Sequence, residues 1–114
     1  MITQFDSVVE RIQRHQGVVG VMLVGIDDGM VIAGDAGPGR DSDTAAALAA
    51  SLFRRTRMAA ADALLGDAAF VRLEAERGHM CATALDDVVV VAMTTTGVNL
   101  GKLRLAMMGA KEML

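Results

Sequence analysis

Two residues that could act together in catalysis, His79 and Cys81, lie two positions apart in the sequence. On a strand their side chains would point to the same face, and a thiolate–imidazole pair can carry out acyl chemistry. The competing interpretation is that Cys81 is a small buried hydrophobic residue and that His79 begins the strand. His15 falls at the end of a predicted helix, where a cation suits the C-terminal dipole. A zinc site needs at least one more ligand nearby, and none is evident, so we expect neither a catalytic residue nor a metal site.

Two other patterns could hold a phosphate or a cation. The loop GDAGPGR (residues 34–40) precedes a predicted helix, which is the geometry that cradles phosphate. It lacks the GxxxxGK[ST] pattern, and Asp35, Asp41 and Asp43 would repel the anion. The paired aspartates at 27–28 and 86–87 fall where hairpin turns need residues that tolerate positive φ. The sequence favours turn chemistry at these pairs, and it predicts no cofactor.

The composition of the chain limits the kinds of molecule that the protein is expected to bind. The net charge is −3 and the chain contains no Trp or Tyr, which argues against nucleic acid. The longest apolar run, residues 18–26, has nine residues with two glycines and is too short to span a bilayer. A lone Cys81 and the lack of an N-terminal signal pattern predict a cytoplasmic protein. Because 53% of the residues are hydrophobic, we expect another copy or a partner to cover part of the surface.

The elements that must position these residues follow from periodicity. Helical spacing of Ile2, Phe5, Val8, Val9 and Ile12 predicts a first helix that begins at Thr3 with Asp6 and stops by Gly17. Apolar runs on either side of residues 27–29 predict a hairpin. A long helix over 44–65 is capped by Ser42 or Asp43 and ended by Gly66.

The second half of the chain completes the pattern. Three runs at 69–76, 79–85 and 88–95 predict strands joined by tight turns. In the first of them, Phe70, Arg72 and Glu74 face one way and the alternate residues face the other. The last helix carries an apolar stripe, formed by Leu100, Leu103, Met107, Ala110 and Leu114. The sequence therefore predicts a single α+β domain over residues 1–114, in the order α-β-β-α-β-β-β-α, with a five-stranded antiparallel sheet.

That order, with the residues that form it, resembles the Roadblock/dynein light chain family and most closely its short bacterial MglB-like members. The similarity lies in the hairpin GVVGVMLVGIDDGMVIA (17–33), the Ala-rich central helix, the hairpin LDDVVVVAM (85–93) and the helix start GVNLGKLR (97–104). The resemblance implies that the central helix covers one face of the sheet and that the terminal helices cover the other. It also implies a homodimer that joins edge strands and central helices.

The resemblance further implies a function. Members of the family bind Ras-like small GTPases as regulators or serve as scaffolds in larger complexes. MglB-like members stimulate GTP hydrolysis by their partner without inserting an arginine of their own. The leading hypothesis is therefore a non-enzymatic homodimeric regulator or binding platform for a small Ras-like GTPase, one that would act on hydrolysis by ordering the partner's switch loops.

The central helix is where the sequence predicts contact with partners. It holds nine alanines, and three arginines lie within residues 54–57. At 100° per residue, a face that includes Leu48, Leu52 and Phe53 should meet the sheet. Ser51, Arg55 and Asp62 form a solvated strip, and the remaining sector mixes alanines with Arg54 and Arg57. High helix propensity could explain the alanines, but a row of small residues with arginines also suits a protein interface.

The wheel divides that sector into two predicted contact surfaces. The surface predicted to bind the GTPase consists of Ala47, Arg54, Met58, Ala61 and Leu65. The surface predicted to meet a second copy consists of Ala46, Ala50, Arg57 and Leu64 from the helix, with Arg72, Leu73 and Glu74 from the third strand. Arg72 and Glu74 are expected to pair across the two-fold axis.

Three alternatives stay open. An arginine finger from Arg54 or Arg57 is chemically reasonable, although the resemblance argues against it. A structural module could dimerise and recruit a larger complex without any effect on nucleotide turnover. A small-ligand sensor is the third, since the nine methionines could form an adaptable pocket lining.

Overall fold

The computed structural model of the protein describes residues 3–113. The elements are α1 (Gln4–Gln13), β1 (Val18–Gly25), β2 (Val31–Asp35), α2 (Ser42–Asp62), β3 (Phe70–Ala75), β4 (Gly78–Leu85), β5 (Val88–Thr94) and α3 (Leu100–Gly109), with a final 3-10 turn over Ala110–Met113. The predicted order and fold class are confirmed. Ile2 and Leu114, which were expected to extend the apolar stripes of the first and last helices, lie outside the described residues. Between residues 3 and 113, no helix is both long and apolar enough to cross a membrane.

The five strands form one antiparallel sheet in the order β2-β1-β5-β4-β3. β2 and β3 are therefore the edges, and β5 lies at the centre, as its run of valines requires. Alternation along the strands sends side chains to two separate cores. Val21, Leu23 and Val90 pack beneath α1 and α3, whereas Met22, Val89 and Val91 pack beneath α2. The terminal helices lie on one face and the central helix on the other, as the resemblance implied.

Local sequence signals explain where α1 and α2 begin. Thr3 and Asp6 form a reciprocal capping box at the start of α1, as predicted. The N-cap of α2 is Asp41, and not Ser42 or Asp43 as predicted, because the Asp41 side chain accepts a hydrogen bond from Thr44 N at 3.2 Å. The Ser42 hydroxyl instead accepts from Ala36 N at 2.9 Å and so fixes the end of the β2–α2 loop.

The end of α2 also differs from the prediction. Leu65 N donates to Ala60 O at 2.8 Å and Leu64 N donates to Ala61 O at 3.1 Å, which together form a Schellman motif. Leu64 occupies the left-handed position of that motif with φ 61°. The helix therefore ends at Asp62, before Gly66, and a leucine adopts the conformation that glycine usually takes.

Candidate functional site: the exposed surface of the central helix

α2 is rotated about its axis relative to the orientation that the helical wheel predicts. Its buried residues are Ala46, Ala49, Ala50 and Phe53, whereas Leu48 is 64% exposed. At 100° per residue, the face against the sheet is displaced by about 80° from the predicted one. The prediction that Ala46 and Ala50 meet a second copy is wrong, because both side chains are fully buried in the core of the same chain.

The close approach of α2 to the β1–β2 turn explains this orientation. Gly29 has φ 69°, and a Cβ placed on it would lie 3.2 Å from the Cα of Ala47. Small residues are needed on both sides of such a contact. The alanines of α2 thus let the helix lie close to the sheet within its own subunit, and their abundance does not by itself indicate an interface.

Four of the five residues predicted to bind a GTPase lie along one side of α2, above the hairpin turns, and Leu65 follows the end of the helix. We call this side the turn-side flank; it consists of Ala47, Arg54, Met58, Ala61 and Leu65. All but Arg54 are exposed. The position directly opposite the sheet is occupied by Arg55 and its neighbours Ser51 and Asp62, which form the predicted solvated strip. The four residues within α2 therefore share one accessible side of the helix.

Arg54 and Arg57 both anchor α2 to the turns beneath it. The Arg54 guanidinium is half-buried and donates Nη1–H to the carbonyl oxygen of Ile26, at the end of β1. Arg57 donates Nη2–H to the carbonyl oxygen of Asp86 at 3.5 Å, and its guanidinium lies 5.3 Å from the centre of the Phe53 ring. Each arginine therefore has an intramolecular partner, which sequence reasoning missed because those carbonyl groups lie 28 and 29 residues away along the chain.

The paired aspartates are confirmed as turn residues. Asp86 has φ 56°, and the Asp28 carboxylate accepts a hydrogen bond from Met30 N at 3.0 Å, whereas Gly29 provides the positive φ of the first turn. The two turns are joined by a hydrogen bond from Ile26 N to Asp87 O at 3.0 Å. We call residues 27–28 and 86–87 the turn rim. Its four carboxylates are exposed beside the turn-side flank.

An exposed apolar group and a groove lie where α2 ends. Met58, Leu64 and Leu65 are 65%, 91% and 78% exposed, and we call these three residues the C-terminal ledge. Beside it is a groove of about 790 Å³ between the end of α2 and the β4–β5 turn. Its apolar wall includes Ala61 and Leu64. Its charged groups are Arg57, Asp67 and Asp86.

The predicted residues of β3 lie on an edge strand, as expected. Arg72 and Glu74 point to the face that carries α1 and α3, while Leu73 points to the face that carries α2. Within one chain, Arg72 Nη2 and Glu74 Oε1 are 3.3 Å apart and form a salt bridge. α2 lies mainly over β1, β2 and β5. Leu73 at the β3 edge is consequently exposed, on the same side of the sheet as the second flank of α2.

That second flank is a surface for which the sequence predicted no contact with a partner. It contains exposed Leu48, Ala59 and Ala63 with half-buried Leu52, and we call it the far flank. Hydrophobicity alone assigned these residues to the sheet. The only available signal to the contrary was the row of alanines at 46, 49 and 50, which fits a tight helix–sheet contact.

Of the histidine–cysteine pair, Cys81 is a residue of the core. Cys81 is fully buried in the core beneath α1 and α3, and burial raises the pKa of its thiol, although the positive charge of Arg72 opposes this. A raised pKa lowers the fraction of nucleophilic thiolate. His79 lies at the start of β4, as predicted, with its Nδ1 atom buried and without a hydrogen-bond partner among the described residues. Among residues 3–113, no cluster of three His, Cys, Asp or Glu residues could hold a metal ion.

Comparison with known proteins identifies the family. The model of the Roadblock/LC7 domain matches residues 4–95. The chain belongs to the Roadblock/LC7 family. An uncharacterized protein of Methanocaldococcus jannaschii is 30% identical to this Roadblock/LC7 domain over 107 residues, covering 94% of this chain and 93% of that protein. The recognition of the family from its hairpins and central helix is thus confirmed.

Solved structures show the same fold at lower identity. Myxococcus xanthus MglB superposes with a TM-score of 0.85 at 22% identity, covering 97% of this chain and 91% of that chain. A Roadblock/LC7 domain from Streptomyces avermitilis superposes with a TM-score of 0.84 at 18% identity, covering 96% and 93%. These similarities establish the architecture.

Proposed function

We propose that this Roadblock/LC7 domain is a homodimeric regulator and binding platform for a small Ras-like GTPase. The observation that carries the proposal is that α2 presents apolar side chains to solvent along both of its flanks. A domain that has already filled two cores gains nothing in folding from exposed Leu48, Met58 and Leu65. Exposed apolar surface of this kind is typical of protein contacts.

The proposed dimer uses the far flank and the β3 edge. Leu73 and the far flank lie on the same side of the sheet, where α2 leaves the β3 edge exposed. Pairing of two β3 edges would extend the sheet through backbone hydrogen bonds, and it would bring the exposed apolar side chains of both copies together. Arg72 and Glu74 could then exchange their intramolecular salt bridge for pairs between the copies.

The proposed GTPase surface is the turn-side flank. Because Arg54 and Arg57 bond to carbonyl groups of their own chain, their geometry supports regulation by ordering of the partner's switch loops over insertion of an arginine finger. In this role the domain supplies a rigid surface, and the catalytic groups are those of the GTPase.

The dimer is tested by matched leucine substitutions. Leu73→Arg places a charge on the β3 edge and should convert dimers to monomers in analytical ultracentrifugation. Leu105→Arg is the control, because Leu105 is exposed on α3, on the other face of the sheet, and this variant should sediment as the wild type does. If both variants sedimented as the wild type does, the β3 edge would be excluded as the dimer contact.

The GTPase surface is tested by binding and by turnover. Ala61→Arg should abolish binding of the GTPase and leave the dimer intact, because Ala61 is exposed on the turn-side flank. GTP hydrolysis by Ras-like GTPases of the source organism should be measured with and without the domain. Binding without any change in turnover would favour the recruitment module, and a lack of binding to every such GTPase would refute the proposal.

A further inference from the structure

Leu64, in the C-terminal ledge, has a conformation that suits glycine better than leucine. Leu64 is almost fully exposed and has positive φ, a conformation in which the Cβ of an L-residue is crowded. Glycine would satisfy the same Schellman motif without that crowding. Strained residues that stability does not require are concentrated at binding sites. The ledge is therefore a candidate for direct contact with a partner.

The charges around the ledge are predominantly negative. Two exposed carboxylates, those of Asp67 and Asp86, line the groove beside it. The guanidinium of Arg57 lines the same groove, so two negative charges there face one positive charge. Neither aspartate forms a salt bridge within residues 3–113, where the one such pair is Arg72–Glu74.

The positive charges are also directed inward. Arg54 and Arg57 point their guanidinium groups at carbonyl oxygens of residues 26 and 86, and Arg57 also covers the Phe53 ring. The carboxylates of Asp67 and Asp86 line the open groove next to the ledge, which Arg57 also lines. A partner that approaches this end of α2 meets an apolar centre bordered by unpaired negative charge.

We propose that the ledge and its groove bind a face of the partner GTPase that is apolar in its centre and basic at its rim. A Lys or Arg side chain of the partner enters the groove, with its aliphatic stem against Ala61 and Leu64 and its charged end near Asp67 and Asp86. The complementary charges steer association and select the partner, while the ledge supplies apolar contact. The inference rests on the proposed function and specifies the chemistry of the partner.

The first experiment changes the groove without changing its shape. Asp67→Asn/Asp86→Asn is nearly isosteric, and asparagine tolerates the positive φ of residue 86. With a GTPase of the source organism loaded with GTPγS, the double variant should bind about 10-fold more weakly at 50 mM NaCl and within about 2-fold of the wild type at 0.5 M NaCl, because salt screens exposed charges. Glu10→Gln, exposed on α1 across the sheet, removes a carboxylate elsewhere and should bind like the wild type.

A second experiment needs no GTPase. N-acetyl-arginine amide and its neutral isostere N-acetyl-citrulline amide are titrated into the wild-type domain while backbone amide resonances are followed by NMR. The arginine probe should shift the amides of Ala68, Ala84 and Asp86 at several-fold lower concentration than the citrulline probe. The preference should disappear in the double variant.

The outcomes separate this inference from the proposed function. Equal binding of both probes, or GTPase binding that ignores the double substitution, overturns the basic-rim inference and leaves the proposed function standing. A preference for the arginine probe without binding of any GTPase supports the basic-rim chemistry and rejects the GTPase as occupant. Loss of the dimer in the double variant would assign the ledge to a second copy and also overturn the inference.

Discussion

Removing the guanidinium of Arg54 should destabilise the fold even though this residue was first assigned to a partner. The group is half-buried and bonds to the carbonyl oxygen of Ile26, a residue buried at the end of β1. A hydrogen bond to a charged group contributes about 1.5–3 kcal/mol, and a buried carbonyl left without a donor costs about as much. We therefore expect Arg54→Met, which keeps the aliphatic stem, to lower the free energy of unfolding by about 2 kcal/mol.

Urea unfolding followed by circular dichroism measures this change. For a domain of this size, about 2 kcal/mol corresponds to a fall of roughly 1 M in the urea midpoint. Arg55→Met is the matched control, because Arg55 is exposed and should change stability by no more than about 0.5 kcal/mol. The chains should be compared at equal concentration, since dimer formation would add to apparent stability. If the two variants unfolded at the same midpoint, the anchoring role of Arg54 would be refuted.

Three further substitutions or reactions test single features of the fold. Leu64→Gly should raise the free energy of unfolding by about 0.5–1 kcal/mol. Glycine relieves the strain of the left-handed conformation, and its larger conformational entropy in the unfolded state offsets part of that gain. A fall in stability would contradict the Schellman motif. Gly29→Ala should lower the free energy of unfolding, measured by thermal denaturation, by at least about 1–2 kcal/mol, because the alanine would have positive φ and would contact Ala47. An unchanged stability would show that α2 can move away from the β1–β2 turn. Cys81 should react with iodoacetamide at pH 8 on the order of 100-fold more slowly in the native protein than in guanidinium chloride. Burial raises the pKa of the thiol and blocks access of the reagent. Comparable rates in the two conditions would contradict the burial of Cys81.

The order of elements and the turns could be predicted from the sequence because their signals are local. Alternation in β3, the capping box at Thr3 and the paired aspartates at residues 86–87 each depend on neighbours within a few positions. The pairing of β1 with β5, which leaves β3 at an edge, was not predicted, because it joins strands that lie far apart in the sequence. No periodicity in the sequence contains that information.

The surface of α2 was predicted less well because its orientation depends on contacts between distant segments. Hydrophobicity directed Leu48 toward the sheet, but Gly29 allows α2 to come so close that alanines fill the contact. The partners of Arg54 and Arg57 are backbone carbonyls on two separate turns. Residue types do not indicate which backbone carbonyl accepts a hydrogen bond from a distant side chain. The sequence therefore predicted that the arginines bind a partner, whereas in the structure they hold the helix in place.

The burial of Cys81 has a practical consequence for measuring the proposed assembly. It is the single cysteine of the chain and lies wholly in the core, so the native domain already offers a background without accessible thiols. A cysteine introduced at an exposed position such as Glu10 or Arg55 would be the one site at which a spin label or fluorophore attaches. Distances between labels on two copies could then be measured without removing the natural cysteine.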